Sequence, residues 1–560
     1  MGALAYISLY TNELKPFTDR GYRQNTLYSL FGLIYKFEDC KTVATPSNNI
    51  WTLVHSLSAQ EKLFFRRDYV KAYALQGSEP LYLKVFDLIS KQNNYDEAKL
   101  LKQLAPALNA KNISYTKNYL YEQICDALLY FNNHDNTNAR IFQQLSLVRI
   151  FREKGLYKAA LKIWEHAIKE ANKYELHPMI QMLKEEYRRM QLYSNPKASQ
   201  KVMMKEYEED SISADEHLRI LQLQELSFHA LLLRRKTHFR QSKEDKKIIN
   251  TLLQNPMLQK EPKSASFWHL HHYRMTKATL GYLSNDATSY NYAYANIHAW
   301  QNNEHFIAHD CENYMEVLYI FYYTAILAKD YQHVIDVMQH SANKQIKGVA
   351  HKAYFETIRH LALNRVYNKL ADYDKVKVLV KVMKDHIAGW EQYINTDLQR
   401  TLRLSLGISC FVLQDYENAF HYVKNATLLF NDDTRPEHYS FANLYLLIIC
   451  FEMKDDYMFD IQYKSTYSYF YRHEKPLPFE NAILQALHKT YKTKSFRSLQ
   501  ENFKELQTSL AITANDPVQQ IVFSMFNVPV WIESKLNRVP YKDWVKRRVE
   551  NELKITRSAG

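Results

Sequence analysis

Two imidazoles four residues apart on one helix face are what a metal pair requires, and His305 and His309, beside Asp310, Cys311 and Glu312, meet that spacing. No H-E-x-x-H accompanies them, and no third ligand follows at a recognisable distance. A chain with 22 histidines makes i,i+4 pairs by chance. His269, His271 and His272 beside Trp268 form a second cluster, read as packed or solvated side chains. The carboxylates Glu185 and Glu186 sit in a charge-mixed run from Leu183 to Met190, where salt-bridged surface is the simpler role. No Ser/His/Asp or Cys/His arrangement is supported. The five cysteines, Cys40, Cys125, Cys311, Cys410 and Cys450, are scattered and read as structural thiols of a reducing compartment. The expectation is therefore a non-enzymatic chain without cofactor or metal.

Glycine use sharpens that expectation. Only 10 of 560 residues are glycine, and the nearest two, Gly21 and Gly32, are too far apart for a P-loop, a dinucleotide turn or a nucleophile elbow. Strand-rich folds with many tight turns are disfavoured for the same reason. Tyrosine, by contrast, occurs 43 times. Hydrophobic residues make up 46% and charged residues 24%, a balance suited to a large core. The longest apolar stretch, Leu444 to Phe451, is too short to cross a bilayer, and the N-terminus lacks the basic region of a secretory signal, so a cytoplasmic protein without membrane insertion is expected.

The net charge of +13 is diluted over the length. Two segments concentrate it: Arg234 to Lys247, with Arg234, Arg235, Lys236, Arg240, Lys243, Lys246 and Lys247, and the tail 542–557. They motivate an alternative reading as a nucleic-acid-associated helical protein. An acidic block holding Glu206, Glu208, Glu209, Asp210, Asp215 and Glu216 precedes the first, as on a compensated surface.

The elements that must position any site are announced by a recurring signature: a polar or glycine turn, an aromatic residue, then a small or β-branched residue three positions on. It occurs at Tyr95-Ala98, Tyr157-Ala160, Tyr290-Ala293, Tyr331-Val334, Tyr373-Val376, Tyr416-Ala419, Tyr457-Asp460 and Phe496-Leu499. From Tyr290 the steps are 41, 42, 43 and 41 residues. Apolar-periodic stretches flank each copy, as Leu402, Leu406 and Cys410 precede Tyr416 and Phe420, Val423 and Ala426 follow it, which reads as helix, turn, helix. The aromatic fills the wedge between helices, and the small residue allows close approach.

Leu147 to Ala167, with Gly155, Tyr157, Ala160, Trp164 and Ala167, and the copy with Leu406, Gly407, Tyr416, Ala419 and Ala426 resemble the tetratricopeptide family. The period is longer than that family's, and the closing proline is mostly absent. The resemblance implies an all-α, right-handed solenoid of stacked antiparallel helical hairpins with a 41–43 residue period. The segment from Trp51 to Arg66, with Leu83 to Ile89, and the closing Val530 to Lys535 are similar to uncharacterised helical-repeat proteins of Bacteroidota. Ser58 and Glu61 there form a capping-box pattern. The organisation expected is a helical extension over 1–48, repeats over 49–170, poorly marked helices over 171–274, regular hairpins over 275–510, and capping helices with a basic tail over 511–560.

Such solenoids present the first helix of each hairpin to an extended partner. Counting back from the marker tyrosines, the lining candidates are Arg149, Arg152, Tyr319, Tyr323, Arg365, Asn368, Lys369 and Tyr445. This mixed aromatic and basic set suits an acidic or aromatic peptide. A protein-interaction scaffold is the leading expectation. A peptide-sensing regulator is a further alternative, for which residues 1–50 offer Tyr22 to Phe37 as one amphipathic helix and no recognition helix.

Overall fold

The computed structural model describes residues 49–69, 80–132, 136–194, 200–237, 241–263, 266–430, 436–472, 476–493 and 495–558. The expected extension over 1–48, with its Tyr22 to Phe37 helix, lies outside the described residues. Every regular element among the described residues is helical. The chain divides into two compact units, Met1–Asn136 and Thr137–Gly560, so this division falls inside the stretch expected over 49–170.

The first unit contains α1 (Asn49–Ser56), α2 (Ala59–Phe64), a π-helical turn (Phe65–Tyr69), α3 (Leu81–Ser90), α4 (Glu97–Leu104) and α5 (Ile113–Asn132). Ser58 and Glu61 close the anticipated capping box at the start of α2, the hydroxyl accepting from the Glu61 amide and the carboxylate from the Ser58 amide. Val54, Phe65, Phe86, Ile89, Leu120 and Ile124 form its core.

The second unit begins with α6 (Thr137–Glu153), α7 (Tyr157–Lys173), α8 (His177–Ser194), the long α9 (Gln200–Thr237) and α10 (Lys243–Leu253). Regular hairpins follow: α11 (Phe267–Leu283) with α12 (Ser289–Asn302), then the short α13 (Glu304–His309), α14 (Cys311–Leu327) with α15 (Tyr331–Gln339), α16 (Val349–Lys369) with α17 (Tyr373–Trp390), α18 (Thr396–Val412) with α19 (Tyr416–Thr427), α20 (Pro436–Met453) with α21 (Asp456–Arg472), and α22 (Pro478–Thr493) with α23 (Phe496–Ile512). Each packs on the next, and one continuous apolar core runs through them, so the fold is an all-α solenoid of stacked antiparallel hairpins. No helix among the described residues is long and apolar enough to cross a membrane.

The turns explain how so few glycines suffice. In three successive hairpins a non-glycine residue takes positive φ, Lys329 (59°), Ala371 (55°) and Gln414 (66°), and an aspartate follows. The amides of Asp330, Asp372 and Asp415 donate back to the carbonyls of Ala325, Tyr367 and Cys410, each at 2.9 Å, closing the first helix in a Schellman pattern. The same aspartates then cap the second helix, their carboxylates accepting from the amides three residues on. Four residues after each aspartate, Val334, Val376 and Ala419 are fully buried.

Two copies of the signature shift, one by a single residue and one by two. In the fifth hairpin Lys454 takes the positive φ and Asp455 caps the helix, so Phe459 fills the buried position while Tyr457 is 74% exposed. In the first unit the cap is Asp96, Leu100 is buried, and Tyr95 precedes the helix. In the five copies with an aspartate cap, that carboxylate, four residues before the buried position, sets the register rather than the tyrosine.

The closing helices do more than cover the last hairpin. After α23 come α24 (Pro517–Met525), α25 (Val528–Leu536) and α26 (Tyr541–Ser558), which fold back across earlier first helices. Ser524 meets Arg365 of α16, Phe526 packs on Phe411 of α18 and Tyr445 of α20, and Trp531 donates to Glu452 at 2.6 Å.

Candidate functional site

Successive first helices bring Tyr319, Tyr323, Arg365, Asn368 and Lys369 together. From α14, the Tyr319 and Tyr323 hydroxyls meet at 3.1 Å. From α16, the Arg365 guanidinium lies 5.9 Å from the Tyr323 ring centroid and its Nη2 donates to Ser524 Oγ at 2.7 Å. Its Nε is buried without a hydrogen-bond partner among the described residues. Asn368, on the same face, donates to Asn364 O at 2.8 Å and Ser409 Oγ at 2.9 Å, which ties α16 to α18.

Arg234, Tyr282, Tyr322 and Glu316 complete the cluster. Arg234 comes from the end of α9, its guanidinium 4.6 Å from the Tyr319 ring centroid and 2.9 Å from Glu316, which also takes Arg235 at 2.9 Å. Its recognisable signal was the basic run 234–247, which hides a split: Arg234 is buried inward, while Lys236, Lys243, Lys246 and Lys247 are exposed. Tyr282 and Tyr322 left no such trace, because only helix packing brings them to the cations.

The electrostatics are lopsided. Burial works against charge on Arg234, yet the Glu316 carboxylate and the surrounding tyrosines leave its pKa raised. Arg365 is half-buried; burial again works against its charge, and the surrounding tyrosines leave its pKa raised. Neither Arg365 nor Lys369 forms an ion pair with any described residue. Lys369 is instead pushed down to about 8, first by burial and then by the neighbouring Arg365 and Lys329 cations. Burial pushes the Tyr322 hydroxyl up to about 12, so it stays protonated as a donor at neutral pH.

The remaining candidates lie elsewhere. Arg149 and Arg152 project from α6 onto the buried Glu186 of α8, at 2.7 and 3.0 Å, so they clamp two helices of their own chain. Tyr445 is fully buried among Phe411, Phe441 and Phe526, where no partner reaches it without moving α24.

The histidines sort in the same way. His305 and His309 both pack on the Tyr174 ring, at 5.6 and 4.8 Å, and burial lowers both pKa values. Among the described residues no three His, Cys, Asp or Glu side chains are placed to hold a metal ion. His269 meets Glu216 at 2.6 Å, while His271 and His272 are buried. Glu185 pairs with Arg189. Of the cysteines, Cys410 and Cys450 are buried and held up at about 12 by that burial, Cys311 at about 11, and Cys40 lies outside the described residues.

The fold and this cluster define a helical-repeat protein with a cationic, tyrosine-walled patch on its first helices. No protein-family model matches the chain, and no curated protein matches it. Among solved structures it is similar to a signal transduction ATPase with numerous domains, carrying a tetratricopeptide repeat sensor, from Pyrococcus horikoshii. That likeness has 14% identity and a TM-score of 0.33, over 85% of this chain and 68% of that one.

Proposed function

We propose that the chain is a non-enzymatic, cytoplasmic protein-interaction scaffold, tetratricopeptide-like, that receives an acidic segment of a protein partner at Arg365 and Lys369. The observation that carries this reading is the pair of half-buried cations one turn apart on α16 that meet no carboxylate among the described residues. Burying a cation without a counter-charge is costly, and an incoming carboxylate would recover part of that cost. The tyrosine hydroxyls supply further donors and the rings a wall for the peptide's apolar atoms. Because α24 already covers Phe411 and Tyr445, the accessible stretch is the one formed by α11, α14 and α16.

Fluorescence anisotropy with a labelled octaglutamate peptide tests this. The intact chain should bind it at low salt, and Lys369→Glu should weaken binding about tenfold or more while leaving the melting temperature close to that of the parent. Equal binding by both proteins would contradict the reading. So would a steeply salt-dependent preference for a single-stranded oligonucleotide that persists in Lys369→Glu, which would instead favour the exposed lysines of segment 234–247 and the 542–557 tail.

A further inference from the structure

A cavity of about 360 Å³ lies apart from the cationic cluster, between α11, α12, α13 and the turn that joins α7 to α8. Its size falls at the lower end of the range occupied by small-molecule sites, roughly 300–1,000 Å³. Phe267 and Phe306 form an apolar wall, their rings parallel with centroids 3.8 Å apart. Trp300 stands edge-on to Phe267 at 5.0 Å.

The polar side of the cavity is oriented by a relay. Trp300 Nε1 donates to His271 Nδ1 at 3.0 Å, and both side chains are buried. An indole N–H only donates, so His271 Nδ1 must accept and its proton must sit on Nε2. Burial first, and then the adjacent His272, hold His271 well below its ordinary pKa, which keeps the ring neutral in this tautomer. The Asn296 side chain is its hydrogen-bond partner on the other side, and a histidine N–H requires the amide oxygen there. The amide is thereby turned so that Nδ2 faces away from the relay. That nitrogen has no hydrogen-bond partner among the described residues, although Asn296 is only 1% exposed and lines the cavity.

Of the two charged groups in the lining, the carboxylate is committed to a helix cap and the ammonium is exposed to solvent over a tyrosine ring. Glu175, held at a φ of 51°, accepts from the Phe267 amide at 3.0 Å and the Trp268 amide at 3.4 Å, capping α11. The Lys173 ammonium lies 5.1 Å from the centroid of the Tyr174 ring. Among the lining side chains Asn296 is the buried one that keeps an unpartnered neutral donor, and it stands beside two phenyl rings. A buried donor left unsatisfied is costly, so an acceptor placed against it is favoured over an apolar group of the same size.

We propose that this cavity is a binding site for a small uncharged aromatic molecule bearing a carbonyl group, with Asn296 Nδ2 donating to the carbonyl oxygen and Phe267 and Phe306 covering the ring. The site is independent of the cationic patch and stands whether or not that patch binds an acidic peptide.

Saturation-transfer NMR on the full chain, with acetophenone and toluene as probes, tests it. Acetophenone is expected to bind about tenfold more tightly than toluene, the discrimination of one buried hydrogen bond. Asn296→Leu should bring the two affinities together. Since that variant also removes His271's partner, Ala299→Phe provides a second arm: it fills the cavity from a half-buried lining position without touching the relay, and should lose acetophenone at least tenfold. Three results would overturn the proposal: equal affinity for both probes in the parent chain, no acetophenone binding up to about 20 mM, or acetophenone binding unchanged in Ala299→Phe.

Discussion

At the scale of single residues, the turn aspartates and the residues before them carry much of the design. Gln414 holds a left-handed conformation that costs a side-chain-bearing residue about 1 kcal/mol, and Asp415 closes one helix and opens the next. Gln414→Gly should therefore raise the unfolding free energy by roughly 0.5 kcal/mol, the relief of strain exceeding the added unfolded-state entropy. Asp415→Ala should lower it by about 1 kcal/mol. Denaturant melts of the two variants read both signs, and a destabilising Gln414→Gly would refute the strain argument. This part of the fold was legible from the Asp-Tyr pairs at 330, 372 and 415. It failed at 456, where two adjacent aspartates offered two registers and only the burial of Phe459 selects Asp455.

Within and between elements, close approach is what the small residues provide. A Cβ on Gly407 would sit 2.4 Å from Val423 Cγ2 and 3.2 Å from Ala419 O, and Val423 is fully buried, so α18 and α19 would have to separate. Gly407→Ala should cost about 1–3 kcal/mol by overpacking, whereas alanine at Gly389, with nothing within 4 Å of the added carbon, should change stability by less than about 0.5 kcal/mol. Thermal melts that rank the two equally would contradict this packing. The glycine in the first helix was visible in the sequence, as were most hairpins from Phe267 to Ile512. The return of α24 to α26 over earlier hairpins was not, because it depends on contacts such as Arg365 with Ser524, 159 residues apart, that leave no periodic trace. The same reason separates the candidate residues: counting back from a tyrosine placed Tyr319, Tyr323, Arg365, Asn368 and Lys369 on one face, but could not foresee that Glu186 takes Arg149 and Arg152 or that α24 buries Tyr445.

Over the whole molecule, ionisable groups buried inside the stack couple stability and binding to pH. His272 is lowered to about 4 by burial and by His269, His360 to about 3 by burial, Arg359 and His386, and burial and His272 hold His271 well below its ordinary value. Above pH 6.5 each is neutral folded or unfolded and contributes nothing to the pH dependence. As pH falls below 6.5 the unfolded chain takes up protons that the folded one refuses, so stability must fall. The melting temperature should decline from pH 6.5 to pH 4.5, and a flat profile would show that these rings are not buried as described. Lys369 gives the opposite kind of handle. With its pKa near 8 in the free protein, it is cationic below that value and neutral above it, so an acidic peptide should lose affinity as pH rises through 8. The affinity of octaglutamate measured from pH 6.5 to pH 9.5, for the parent chain and for Lys369→Met, decides whether α16 receives an acidic peptide. The parent should weaken about tenfold with a midpoint near 8, while Lys369→Met should bind weakly and without that transition. A pH-independent affinity in the parent, or the same transition in Lys369→Met, would contradict an acidic-peptide site on α16.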